Sequence, residues 1–450
     1  MKNQYDFDQV KKEIIGFLKT RAKGLTVFLV RNIYSRFSIY FSDIKEDDFE
    51  IIKKEILNEK HATKWLDNIE AIESKDFIYN DLIKDSIQIE GYKHIFFTER
   101  HSSKTNWFQY KKKEIKTPII SFYSFKGGLG RTTAMILSAV CLAREGKKIV
   151  LIDFDLEAPG LASIFGSENE EYLTFKGVLD FLISVNANKQ KDLDDINLVD
   201  YYFRINDQKL IGTFGGELII IPATSTDRPN SSSYIDKLSK INIKIVNESN
   251  YYVDHLFKKI EEELKPDYIF LDTRTGINDI GGMAFYRYSR MIFLFFYGNQ
   301  QNMFGLETVV PKLQSNQIDF YLVNSPVPEE PTDEKEERDY YIERSYDIFS
   351  DLYYPENKIP EMNDTEAQHY PIDIPFTRIA LNLNQLIKLK SLIEGGKQNP
   401  YQQIADIISV EDEELEDQQD INIDKKQVLN AFQQVIPKSL ASSEEEYQTE

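Results

Sequence analysis

The stretch SFYSFKGGLGRTTAMILSAVCLAREGKK, residues 121–148, decides how this chain is read. An apolar strand runs into a glycine-rich turn, and the turn opens an amphipathic helix that ends near Gly146. Glycines let such a turn aim its amides inward at phosphate oxygens, and the helix N-terminus adds its positive dipole end. Arg131 and Thr132 follow at once, supplying a cation for phosphate charge and a hydroxyl for a magnesium ion. Cys141, on the apolar face of that helix, reads as a buried small hydrophobe.

Outward from this turn, short runs that are apolar throughout alternate with helical segments. The clearest are IISFYS (119–124), KIVLIDF (148–154), ELIIIP (217–222), YIFLD (268–272), MIFLFFY (291–297) and FYLVNS (320–325). Runs without polar alternation predict strands buried on both faces, hence a largely parallel, doubly wound α/β sheet over residues 117–400. Residues 1–116 read as a smaller α+β domain. It has a helix from Val10 to Lys19, strands at 25–30, 36–42 and 94–99, and a helix at 43–57. QYKKKEIKTP (109–118) reads as a solvated linker; its lysines are also open to an acidic partner or nucleic acid. Residues 401–450 read as an acidic tail, VEDEELEDQQD first, with a short helix at 425–436. EEPTDEKEERDYY (329–341) fits a loop or a charged helix, and STDRPNSSS (225–233) an exposed loop.

Composition narrows the function classes. The 450 residues are 41% hydrophobic and 13% aromatic, so the chain folds. One cysteine excludes a disulfide scaffold or a Cys-rich metal site and suits a reducing cytoplasm. No apolar run reaches membrane-span length, and no signal core opens the chain. The net charge of −20 is concentrated in residues 327–450, which carry −18, against +3 for residues 1–116. That end would repel a phosphate backbone, which disfavours nucleic-acid binding over the whole surface. The five histidines form no HxxxH or HExxH pair, so a metalloenzyme site is not expected.

KGGLGRTT (126–133) resembles the deviant Walker A motif of the ParA/MinD-type ATPases, KGGxGKTT, through the early Lys126 and the pair Gly127–Gly128. The resemblance implies that Gly127, Gly128, Leu129, Gly130, Arg131, Thr132 and Thr133 bind ATP. It implies that Thr132 ligates Mg²⁺ and that Lys126 reaches across an ATP-dependent homodimer to the partner's phosphates. Arg131 departs from the family's lysine; it keeps the charge in a planar, bulkier form. DFDLEAPGL (153–161) resembles the second signature: Asp155 would position the attacking water, and Asp153 would help hold the magnesium shell. Two strand-end carboxylates capping the next turn is the alternative. YIFLDTRTGINDIGG (268–282) resembles the Walker B strand and switch II loop, with Asp272 on a magnesium-bound water and Gly276 near the γ-phosphate. Arg274 would sense phosphate or pair with an acidic neighbour. Asn324 matches an adenine-reading asparagine, and IPFTRIAL (374–381) a loop beside the base.

The resemblance implies an ATP- and Mg²⁺-dependent dimerisation switch with slow hydrolysis. Its N-terminal domain or acidic tail would meet an unidentified protein partner. The KGGxGR form is similar to bacterial regulators, which by analogy suggests a defence or stress operon. One alternative is a non-hydrolysing nucleotide-binding scaffold. A bacterial tyrosine-kinase-like enzyme is another, although beyond Tyr401 the only tyrosine is Tyr447.

Overall fold

In the computed structural model the chain divides into two units, Met1–Asn106 and Trp107–Glu450. The structure describes residues 7–410 except 33, 59–64, 90, 101–110, 167–168, 188–195, 226–232, 241–251, 317, 329–330, 378–385 and 395–398. The loop expected at 225–233, the helix expected at 425–436, and two of the five histidines, His61 and His101, thus lie wholly or largely outside the described residues.

In the first unit, α1 (Phe7–Arg21) leads to β1 (Thr26–Arg31), β2 (Phe37–Ser42), α2 (Glu46–Asn58), β3 (Leu66–Ile72), α3 (Phe77–Asp85), β4 (Ile87–Gln88) and β5 (Ile95–Glu99). The sheet order is β3-β2-β1-β5-β4. Strand β1 pairs antiparallel with β2 and parallel with β5. Alternation along β1 sends Val27 and Leu29 into one cluster, with Val10, Ile14 and Leu18 of α1 and Phe49, Ile52 and Ile56 of α2. It sends Phe28 and Val30 into another, with Leu82 of α3. The buried Arg31 grips Glu99 with two nitrogens, at 2.7 and 2.5 Å.

In the second unit an eight-stranded sheet runs β13-β12-β11-β6-β10-β7-β9-β8. Its strands are β6 (Ile119–Ser124), β7 (Lys148–Phe154), β8 (Phe203–Ile205), β9 (Glu217–Ile221), β10 (Tyr268–Thr273), β11 (Met291–Phe296), β12 (Asp319–Val327) and β13 (Ile372–Pro375). All neighbours pair in parallel except the edge strand β8, which runs antiparallel to β9. Residues 149 and 151 of β7 enter one apolar cluster and 150 and 152 the other, so both faces are covered. The helix α4 (Arg131–Arg144) packs on one face, buried from Thr133 to Ala143, with Cys141 2% exposed and its thiol pushed up to about 12 by burial. The acidic segment near 330 is a helix, Pro331–Leu352.

Two expected boundaries move. Residues 400–410 are a helix rather than the start of a tail, and Tyr401, Ile404, Ala405 and Ile408 are buried in the cluster that holds α4. The lysine-rich stretch before β6 is docked rather than solvated. The Lys113 amide donates to the Arg287 carbonyl at 2.8 Å, the Lys111 carbonyl accepts from the Arg287 guanidinium at 3.0 Å, and the Lys112 ammonium donates to the Ser289 carbonyl. The reason is a buried ion pair that this stretch covers: Arg287 binds both carboxylate oxygens of Asp254, at 3.0 and 2.6 Å, with side chains 4% and 8% exposed.

Removing one partner of such a pair strands the other charge. Arg287→Ala is expected to lower unfolding free energy by about 3–5 kcal/mol. Lys258→Ala, at an exposed pair with Glu262, should cost under ~0.5 kcal/mol. Urea denaturation of the two variants beside wild type checks the contrast.

Candidate nucleotide site

The sheet's order places the site. Strands β6 and β10 are neighbours whose connections run to opposite sides, from β6 to β7 and from β10 to β11, and the crevice at their C-terminal ends is where doubly wound sheets take ligands. There the chain turns through residues 125–130 and enters α4 with Gly130 as N-cap. Gly128 and Gly130 have φ of 85° and 75°, a region that side chains with a Cβ rarely adopt. The first amides of α4 therefore face the crevice without intrahelical partners. The Ser325 hydroxyl donates to the Leu129 carbonyl at 2.7 Å and ties the turn to β12.

A cavity of about 380 Å³ opens over this turn. It is lined by Ser124, residues 127–133, Thr275, Ser325–Pro326, Ile374–Thr377 and Tyr401. The resemblance of 374–381 to a base-side loop thus falls on cavity wall as far as Thr377; residues 378–381 are outside the described ones. Lys126, next to the turn, is exposed.

Strand register brings the carboxylates together. Asp272 of β10 lies opposite Asp153 of β7 and opposite Phe122 of β6, the strand that feeds the turn. Its two oxygens accept from neighbours in the chain: Arg131 Nε to Oδ1 and Thr132 Oγ1 to Oδ2, both at 2.6 Å. Arg131 also approaches Asp155 at 3.8 Å and Ser124 Oγ at 3.5 Å. The guanidinium therefore lies along the carboxylates. Burial raises the proton affinity of Asp155, and the Arg131 charge opposes that shift.

Asp153 is 1% exposed. Its Oδ2 accepts from the Gly160 and Leu161 amides at 3.0 Å each, and its Oδ1 from the Asp155 amide at 3.2 Å. These bonds make it a cap of the loop that displays Asp155. Burial and the Asp272 charge both push its proton affinity up. Asp155 accepts from the Ala158 amide at 3.3 Å.

Gly276, with φ of 72°, donates its amide to the Ser124 carbonyl at 3.2 Å. Arg274 pairs with an acid: two guanidinium nitrogens meet the two oxygens of Glu157, at 2.7 and 2.5 Å. Asn324 departs from expectation. It is 2% exposed, does not line the cavity, and donates to Asp373 Oδ1 at 3.1 Å, in a network where Arg338 holds the other Asp373 oxygen. Its register partner on β13 is Asp373 itself. The cavity is lined instead by its neighbours Ser325 and Pro326, with Phe376 of the segment read as a base-side loop and with Tyr401, which the sequence did not single out. Adjacency to Asn324 was the available signal for the first two.

A hydroxyl and a carboxylate side by side suit a hard cation that keeps most of its waters, as magnesium does. Among the described residues no group of three or more His, Cys, Asp or Glu is arranged to hold a metal, so these oxygens would need phosphate and water to complete a shell. Among the described residues no helix is long and apolar enough to cross a membrane.

Comparison with known proteins follows this geometry. Residues 117–310 match a family described as an AAA domain. The septum site-determining protein MinD of Escherichia coli is 39% identical over 80 residues, 18% of this chain and 30% of that protein. The MinD of Buchnera aphidicola is 29% identical over 170 residues, 38% of this chain and 49% of its own. The chain thus spans half or less of the length of these relatives. A structure of pNOB8 ParA bound to nonspecific DNA aligns over 66% of this chain and 99% of its own, at 16% identity and a TM-score of 0.42. The phosphate loop and the sequence around it are thus similar to those of the MinD proteins, within a stretch that matches the AAA-domain family.

Proposed function

We propose that this chain is an ATP- and Mg²⁺-dependent dimerisation switch that hydrolyses ATP slowly and regulates a protein partner. The observation that supports it most is the contact of Thr132 with Asp272 beneath a glycine turn whose amides face a cavity. In this reading the amides of residues 127–133 cradle the phosphates, and Thr132 and Asp272 hold the cation through oxygen and water. Bound magnesium would supply charge neutralisation for phosphoryl transfer. Asp155, held just past the C-terminal end of β7 by the Asp153-capped loop, orients the water. Exposed Lys126 extends to the nucleotide of a second copy. Arg131 must leave Asp272 for the cation site to assemble, which accounts for slow turnover. Pro326, Phe376 and Tyr401 offer the base an apolar wall, while Asn324 stays with Asp373.

The N-terminal unit or the acidic tail is the proposed route to the partner, with a cytoplasmic setting and a bacterial defence or stress operon as the context. The charge of residues 327–450 argues for protein rather than nucleic acid. One observation favours a non-hydrolysing scaffold instead: Arg131 engages both Asp272 and Asp155, the two carboxylates hydrolysis needs. The kinase-like alternative loses support, because Tyr341 is fully buried and Tyr353 and Tyr354 sit in a ring cluster with Phe349.

Light scattering with phosphate release in ATP–Mg²⁺ and ADP–Mg²⁺ tests the switch. Wild type should dimerise transiently in ATP and release phosphate. Asp155→Ala should stay dimeric with turnover down at least about a hundredfold, within the range for loss of a water-positioning group. Lys126→Ala should bind ATP and stay monomeric. ATP binding without a size change or phosphate release in wild type would replace the switch with the scaffold. Arg131→Lys removes the forked grip on two carboxylates. It should raise turnover by about tenfold, the equivalent of one charge-assisted hydrogen bond of ~1.5 kcal/mol. Steady-state phosphate release on both proteins decides this.

A further inference from the structure

Two loops flank the site's carboxylates: the one after β7 carries Asp155, and the one after β10 leaves the strand that carries Asp272. Each carries, two residues past its carboxylate, a long charged side chain of opposite sign: Glu157 on the first loop and Arg274 on the second. These meet fork to fork. Arg274 Nη1 donates to Glu157 Oε1 at 2.7 Å, and Nη2 lies 2.5 Å from Oε2. The side chains are 35% and 46% exposed, so the pair sits at the rim rather than in the core.

The loop that displays Asp155 has few other ties. Inside it, Asp153 takes the Gly160 and Leu161 amides, and Asp155 takes the Ala158 amide. From outside, the Tyr234 hydroxyl bonds the Leu156 carbonyl, Leu156 packs into the core, and Arg131 approaches Asp155 at 3.8 Å. Glu157 adds a side-chain tie that joins this loop directly to the one leaving Asp272, beside the Arg131 bridge between the two carboxylates. A bidentate guanidinium–carboxylate pair fixes orientation as well as distance, which a single contact does not.

We infer that Glu157 and Arg274 are positioning residues that hold the Asp155 loop in register with the Asp272 loop, so that the water-orienting and cation-holding carboxylates keep a fixed separation. The inference rests on the proposed hydrolysis by this site. Neither residue lines the cavity, and neither is assigned a part in the chemical step. At this exposure the pair is worth at most ~1 kcal/mol, which sets the expected rate effect at about fivefold.

The test uses the full chain with four proteins: wild type, Glu157→Gln, Arg274→Gln, and the double swap Glu157→Arg with Arg274→Glu. Each single variant should lower kcat about fivefold with KM for ATP within about twofold, the pattern of a lost transition-state interaction. The swap should recover kcat to within about twofold of wild type. Raising salt should bring wild-type kcat down toward the single variants, because an exposed pair is screened. Hydrogen exchange at the Ala158, Gly160 and Leu161 amides, without nucleotide, should quicken in the single variants and slow again in the swap. Wild-type turnover with unchanged kcat in the single variants overturns the inference alone. So does a swap no better than either single change. Wild type that binds ATP and releases no phosphate overturns the hydrolysis reading and this inference with it, and unaltered exchange at the three amides in the single variants overturns the tie itself.

Discussion

Asp272 accepts from two consecutive residues of the P-loop helix at once, and the remainder of the site is arranged around that fact. Thr132 and Arg131 each reach a separate oxygen at 2.6 Å. This requires α4 to begin where Gly130 turns it, β6 to feed the turn, and β10 to end level with β6. The parallel register Asp272↔Phe122 provides that level, and the register Asp272↔Asp153 brings in the third carboxylate. Buried like charges at this spacing disfavour joint ionisation. The structure meets the cost in two ways: Asp153 draws three backbone amides, and Arg131 lies across Asp272 and Asp155.

Arg131 therefore occupies a double position in the account. In sequence it stands where a phosphate-binding cation is expected; in space it neutralises the carboxylates. A lysine offers no planar fork and would grip one carboxylate at a time. In the proposed cycle nucleotide and cation would have to compete with an internal ion pair that is 9% and 4% exposed at its two side chains, hence little screened. The same substitution thus links loop chemistry, resting electrostatics and the proposed slow cycle.

Much of this was legible in the sequence. Strands β6, β7, β10 and β11 are buried on both faces, so their apolar runs stand out without periodicity. The glycine turn declares itself because few other contexts put a glycine-rich segment between a strand and a helix. What escaped notice has identifiable causes. Strand β3 is buried at every third residue, Leu66, Ile69 and Ile72, so it lacks the alternation that marks a half-buried strand. The helix at 400–410 adjoins an acidic run, and a composition window merges the two. Asn324 turns to Asp373 because β12 and β13 lie side by side, a pairing between residues 49 apart in sequence. The direction of Arg131 depends on which of its near neighbours is anionic after folding, and no local pattern reports that.

The central claim is that Asp272 and Thr132 form a cation site that Arg131 covers until nucleotide and magnesium arrive together. Calorimetric titration of ATP, with Mg²⁺ and with Mg²⁺ chelated, on wild type and Asp272→Asn, addresses it directly. The account predicts that Mg²⁺ tightens ATP binding to wild type by about tenfold or more, equivalent to ~1.4 kcal/mol, and that Asp272→Asn loses this gain. Equal affinity with and without Mg²⁺ in wild type would contradict it.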